Sequence, residues 1–434
     1  MKNVKCGREV NFGEYGGAEY FFYDINNDGK LEILSYQGPG VFGAGIFKNN
    51  KTISPFIPKT VSVSAFSCDG KRLWTWGLPN PPDDHYISHS YEACIAAADI
   101  DDDGIIEIVI ADGDRVVILD GRTGHEKNTV KLPYDNFYIV QCAGEKTADN
   151  EAAIVIKNGE GGYDGWHYGE PVIGLNSRLE MIWGPLGITG GGHHILALDL
   201  NKDGRNEFLI GYCAVSLDGK ILWTLDVVDT LKFDSSSQHV DYTDIFMSPD
   251  GKLFFSIAGS DKIFLADESG KTFFAKEDIH CQGTAIGQFA ENNDFQIALY
   301  NSPNGPMVLH DKNGNEIWRK ATERRWPLGP GKGWEKNRMH RNRPIVKLSG
   351  DDKKQWIAYA DGGWPWGMDG KGEISLEFEV PVNSKPFDRP ENIPDTLRRD
   401  DLGGSFGLKA ADLNNDGKDE AIIYNRRFLW IFSI

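Results

Sequence analysis

The phrase AADLNNDGKDEAII, residues 410–423, recurs almost unchanged as YDINNDGKLEIL, AADIDDDGIIEIVI and ALDLNKDGRNEFLI. Self-similarity of this kind restricts a chain to repeat architectures before anything else is known. Each copy leads into a short β-rich run (EILSY, EIVIAD, EFLIGY, EAIIY), and usually a second strand, a D-G-K type turn and a strand often ending in Trp. AVSLDGKILWTLD at 214–226 and MVLHDKNGNEIWRK at 307–320 show the pattern. Tight Asp-Gly and Asn-Gly turns join antiparallel strands. Weaker copies fill the gaps, giving eight units that begin near residues 18, 92, 137, 193, 240, 281, 343 and 405. Four-stranded units at this period predict an all-β, eight-bladed β-propeller of antiparallel blades, a single domain over residues 1–434, with seven blades as the alternative count. The last unit ends at RRFLWIFSI, its third strand, so NVKCGREVNF from the N-terminus is expected to supply the fourth and close the ring. Closure leaves no exposed edge strand. A long β-solenoid fits the irregular spacing and the incomplete final unit less well.

The phrase itself, D-x-[DN]-x-D-G-x-x-E, points alternate side chains into one loop while its glycine permits a sharp turn. The sets are Asp24, Asn26, Asp28, Glu32; Asp99, Asp101, Asp103, Glu107; Asp199, Asn201, Asp203, Glu207; and Asp412, Asn414, Asp416, Glu420. Convergent hard oxygens suit a structural Ca²⁺, and an acidic residue at the ninth position distinguishes these loops from EF-hands. The alternative is an Asx-turn that hydrogen-bonds its own backbone. Joining the first strand of a blade to the second, the loops belong on the face opposite the usual ligand-binding mouth.

That mouth is where the basic side chains gather. The segments leading into blades carry His85 and His89 (DDHYISHSYEA), His193 and His194 (GGGHHILA), His239 (SSQHVDY) and His280 (DIHCQG). They also carry Arg338, His340, Arg341 and Arg343 (NRMHRNR), and Arg398 and Arg399. Seven of the ten histidines thus share one repeat position, and His167 in GEGGYDGWHYGEP falls on the same face. Any one of them could cap a strand; together, on a protein of formal charge −18, they imply an anionic ligand. The charge argues against nucleic acid, which needs a basic face. No apolar run approaches a membrane span. Aromatic insertions on this face, YQGPGVFGAGIF, GGYDGWHYG and DGGWPWGMDG, bring Trp166, Trp364 and Trp366 as candidate sugar-stacking surfaces. The six cysteines, without a C-x-x-C pair, read as buried thiols. Met1 leads straight into polar sequence, so the expected location is cytoplasmic, or extracellular or periplasmic if a leader was removed.

The mouth is poor in acidic pairs apart from Glu160, Glu170, Asp83 and Asp84. A His/Arg/Tyr mouth instead suits β-elimination from a uronic acid, in which a cation neutralises the carboxylate and a neutral His or tyrosinate removes the adjacent proton. At this point GGGHHILALDLNKDGRNEFLIGYCAVSLDGKILW resembles the glycine-rich, histidine-containing blade of the rhamnogalacturonan lyases. The specific match runs from His193 to Trp223, and the repeats extend it over most of the chain. The resemblance implies an eight-bladed, calcium-binding propeller lyase. The chain is shorter than those enzymes and richer in mouth histidines. In the second respect it is more similar to related propeller lyases that cut ulvan or rhamnosyl-glucuronate linkages through paired His, a Tyr and an Arg.

The expectation is a lyase, acting as a monomer on a rhamnose–uronic acid linkage of an acidic oligo- or polysaccharide such as rhamnogalacturonan, ulvan or gum arabic. His167, His194 and His239, with Tyr168 and Tyr242, are the candidate acids and bases, and Arg338 and Arg341 the carboxylate clamps. His85, His89, His193, His280 and the three tryptophans are the expected substrate contacts. Successive side chains alternate along HHILALDL, so His194 rather than His193 is expected to face the ligand. A propeller rhamnosidase acting on rhamnosyl-glucuronate and a non-catalytic glycan-binding propeller are the alternatives.

Overall fold

A computed structural model of the chain describes residues 1–17, 19–38, 47–48, 51–52, 59–79, 94–144, 146–159, 166–167, 169–226, 239–259, 261–290, 294–301, 305–323, 325, 345–350, 354–360, 362–384 and 406–434. They form eight antiparallel sheets whose first strands are Glu19–Tyr23, Ile95–Ala98, Phe137–Cys142, Ile195–Leu198, Val240–Met247, Cys281–Gly287, Ile345–Ser349 and Gly407–Ala411, taken as blades 1 to 8. These starts lie within three residues of those read from the repeat. First strands of blades 2 to 4 contact one another in succession, as do those of blades 5 to 8, so they are the innermost strands of the ring. No α-helix occurs among the described residues.

There is no single core. Eight hydrophobic clusters lie between neighbouring blades, one for each pair, including blade 8 against blade 1. Blade 2 shows how the sequence builds them. In its second strand, Glu107–Ala111, Ile108 and Ile110 pack toward blade 1, while Val109 and Ala111 pack toward blade 3. Alternation therefore divides each strand between two apolar neighbours, and the strand reads as a continuous apolar run.

The expected tryptophans clasp the blades from outside. Trp74, Trp183, Trp223 and Trp318, on the outer strands of blades 1, 3, 4 and 6, each donate Nε1–H to a carbonyl in the last turn of the following blade, at 2.7, 3.0, 3.1 and 3.0 Å. Each indole covers that turn's glycine. A Cβ on Gly219, whose φ is +81°, would stand 2.6 Å from the Trp183 ring.

The N-terminus closes the ring as expected, with an addition. Arg8–Asn11 pairs antiparallel with Phe428–Ser433 as the outer strand of blade 8. Lys2–Val4 continues onto blade 7, pairing in parallel with Ile374–Phe378 as a fifth strand. Cys94, Cys142, Cys213 and Cys281 are buried thiols, as expected; Cys6 and Cys68 are half-buried, and none is in a disulfide.

Candidate functional site

Glycines bring the loop into blade 4 against blade 5. Gly190 and Gly192 have φ of +68° and +59°, and a Cβ on Gly192 would lie 2.0 Å from the Val240 carbonyl oxygen. Val240 N–H donates to Gly190 O, and His193 N–H donates to Val240 O, both at 3.1 Å. The space that glycine leaves is thus filled by the neighbouring blade's backbone.

This contact sets His193 edge-on to His239, with ring centroids 4.9 Å apart. Asp241 lies beneath both: its Oδ1 is 3.5 Å from His193 Nε2 and 3.4 Å from His239 Nε2. Gln282, on the first strand of blade 6, donates Nε2–H to the same oxygen at 2.9 Å. Its own Oε1 lies 3.0 Å from Nε2 of the exposed His280. Asp241 Oδ2 is buried and accepts no hydrogen bond from the described residues. His193, His239 and Asp241 are 2%, 8% and 1% exposed. Burial pushes the His193 imidazolium down to about pKa 3, against the pull of Asp241, so the ring is neutral. Burial also opposes ionisation of Asp241, but the imidazoles of His239 and His193 beside it outweigh that and hold the carboxyl below the usual range.

His194 separates from its neighbour. It is half-buried and meets the half-buried Tyr242 edge-to-face, ring centroids 5.1 Å apart. A second buried charge supports the same loop from blade 3. Lys157 Nζ donates to Gly192 O at 2.5 Å and to Asn158 O at 3.1 Å. Burial lowers its ammonium to about pKa 7, with Glu170 opposing. Asn158 Nδ2 donates to Glu170 O at 2.6 Å, and His167 N–H donates to Glu170 Oε2 at 3.0 Å.

The structure therefore gathers His193, His194, His239, Tyr242 and, through Gln282, His280. Trp166, half-buried, and His167, exposed, lie on the loop between the second and third strands of blade 3, on the same face. His85, His89, Tyr168, Arg338 and Arg341, with His340, Arg343, Arg398 and Arg399, lie outside the described residues. Trp364 and Trp366 correct the reading of DGGWPWGMDG. They are 4% and 2% exposed, packed in the clusters between blades 7 and 8 and between blades 6 and 7, with Nε1–H bound to Phe378 O and Glu323 O. Their rings are occupied by core contacts and offer no face to a sugar.

Asp241, Gln282 and Lys157 were not read from the sequence. Asp241 carried a signal, standing two residues beyond His239 in a strand, where alternation puts both on one side. Lys157, inside the apolar run AAIVIKNG, gave none.

On the opposite face the four aspartate loops are near copies. The leading Asp accepts two backbone N–H groups, at 3.1 and 2.8 Å from Asp28 and Gly29 in the first and at 3.0 and 2.8 Å from Asp416 and Gly417 in the last. Glu32, Glu107, Glu207 and Glu420 open the second strands and accept the N–H of Ile25, Ile100, Leu200 and Leu413 at 2.9–3.1 Å. Such charge-assisted bonds contribute about 1.5–3 kcal/mol each and hold the loop's shape. Asp99, Asp101 and Glu107 place oxygens within 4.8 Å of one another. There Lys127 Nζ reaches Asp101, Asp103 and Glu107 at 3.3, 3.0 and 2.6 Å. The oxygens fit a hard cation; in this loop an ammonium already stands among them.

No family model and no curated protein sequence matches the chain. Solved structures do. The exotype rhamnogalacturonan lyase YesX superposes with a TM-score of 0.62 at 16% identity, covering 98% of this chain and 75% of its own. The Bacillus licheniformis rhamnogalacturonan lyase PL11 gives 0.57 at 14%, covering 96% and 71%. BamB from Moraxella catarrhalis gives 0.54 at 12%, covering 99% and 97%. The chain thus shares the β-propeller fold of rhamnogalacturonan lyases and of propellers of other kinds.

Proposed function

We propose that this chain is a polysaccharide lyase that cleaves a rhamnose–uronic acid linkage by β-elimination. The observation that carries the reading is the cluster at blades 4 and 5, in which half-buried His194 and Tyr242 meet beside the buried His193–Asp241–His239 group. Neutral His194 takes the proton from the carbon bearing the uronate carboxylate. The electron pair forms the ring double bond, the bond to the leaving oxygen breaks, and Tyr242 O–H protonates that oxygen. Neutralising the carboxylate falls to Arg338 and Arg341. Hydrolysis by two carboxylates is less well served: in this cluster Asp241 and Glu170 are both buried, and Glu170 accepts a backbone N–H. Rhamnogalacturonan lyases among the structural neighbours add support.

Incubation with rhamnogalacturonan, ulvan and gum arabic tests the proposal. An ultraviolet-absorbing unsaturated uronate is expected. Free rhamnose without that chromophore identifies a rhamnosidase, and binding without a product identifies a glycan-binding module.

We further propose structural Ca²⁺ in the aspartate loops. The ligands would be Asp24, Asn26, Asp28 and Glu32 and their counterparts in the loops opened by Asp199 and Asp412, with Lys127 as competitor in the loop opened by Asp99.

A further inference from the structure

We infer that His193, His239 and Asp241 form a site for one divalent transition-metal ion, with Zn²⁺ as the type, held between blades 4 and 5. Each residue offers one ligand atom, and the three atoms lie within 4.8 Å of one another. The separations of 3.5 and 3.4 Å from Asp241 Oδ1 to the two imidazole nitrogens exceed the 2.7–3.2 Å of ordinary N–H···O bonds. They match the edge of a tetrahedron, about 3.4 Å, built on metal–ligand bonds of about 2.0–2.1 Å.

A second observation is independent of that spacing. Asp241 is 1% exposed, and its Oδ2 accepts no hydrogen bond from the described residues. Leaving a carboxylate oxygen buried without a partner is costly, and a cation held by the same carboxylate offsets the cost.

Ligand chemistry selects the ion. Two imidazole nitrogens with one carboxylate suit Zn²⁺ and its first-row neighbours, whereas Ca²⁺ and Mg²⁺ take oxygen. A supporting shell is present, since Gln282 donates to Asp241 Oδ1 and His280 lies on Gln282. The ligands come from the loop before blade 4 and from the start of blade 5, so the ion would fasten one blade to the next. Its remaining positions are left to water or to an anionic oxygen. The inference does not rest on the lyase reading, because metal binding is measured without substrate.

The test is Co²⁺ binding to the chelator-treated full chain, with excess Ca²⁺ to saturate oxygen sites in the aspartate loops. One Co²⁺ per chain, a visible d–d absorption band and imidazole scattering in the X-ray absorption spectrum are expected. His239→Ala and Asp241→Ala should weaken binding by at least about a hundredfold, and Gln282→Leu by about tenfold, the range for outer-shell partners. His194→Ala should bind Co²⁺ like the parent. A wild-type spectrum without imidazole scattering, or His239→Ala binding Co²⁺ unchanged, overturns the proposal. Should Asp241→Ala fail to fold, the wild-type spectrum alone decides.

Discussion

The two faces of this propeller are made from the same repeat and have been treated differently. One face carries the aspartate loops, four near copies in which a half-buried leading Asp binds the loop's own backbone and a buried Glu closes the turn. The other face carries loops of unequal length, and its buried charges differ from blade to blade: Asp241 and Lys157 support the loop and strand that hold the histidines, Asp112 accepts from Arg115 and Thr60, and Glu19 pairs with Lys409. Repetition marks a device that four of the blades share for turning the chain. Departure from it marks where selection asked for something other than folding.

Three perturbations bear on that contrast. The largest effect is expected at the mouth. If elimination occurs, His194→Ala should lower turnover by at least about a hundredfold while leaving the melting temperature unchanged. His193→Ala, which opens the buried group around Asp241, should lower the melting temperature. Two variants with the same thermal and kinetic loss would make the pair a structural cap and remove the distinction.

Next comes Lys157. Its ammonium is held near pKa 7 in the folded chain against the ordinary 10.5 of lysine, so between these pH values the unfolded chain binds the extra proton. Wild-type stability should therefore gain up to about 1.4 kcal/mol per pH unit from this group as pH rises through the window, and none below it. Lys157→Met should lack that slope in denaturant titrations at pH 7, 8 and 9. Parallel curves would show the lysine charged throughout.

The smallest effect belongs to the repeated face. Chelation should lower the melting temperature by the equivalent of about 1 kcal/mol for each loop that binds Ca²⁺ at moderate saturation. An unchanged melting curve would leave the loops as Asx-turns held by their own hydrogen bonds, and would widen the contrast between the faces.

The blades, their boundaries and the closing strand were legible because the turns and apolar runs recur in phase. The gathering of histidines on one face was legible for the same reason, as a shared repeat position. Which ring meets which partner was harder to read. Even positions such as Leu196 and Leu198 turn toward blade 5 while Ile195 and Ala197 turn toward blade 3, so parity assigns a neighbour and not an inside or outside. Lys157 sits inside a strand whose composition looks like core, and for both Lys157 and Asp241 only the approach of a second blade reveals the partners. Trp364 and Trp366 failed differently: a glycine-rich aromatic segment reads as an exposed insertion, but its rings were needed to fill wedges on either side of blade 7.

The straddling N-terminus has a consequence for how the chain finds this shape. Every wedge core but one joins blades adjacent in sequence, so most of the molecule can assemble from near-neighbour encounters. The exception is the seam, where Arg8 must find Ile431 and Lys2 must find Leu376. Bringing ends about eight times farther apart than one repeat costs about 2 kcal/mol more in closure entropy, and contacts so distant in sequence form late. During folding the ring is therefore an open arc for most of its history, with blade 1 and blade 8 each waiting on the other. Residues 1–11 are made before the strands they wait for.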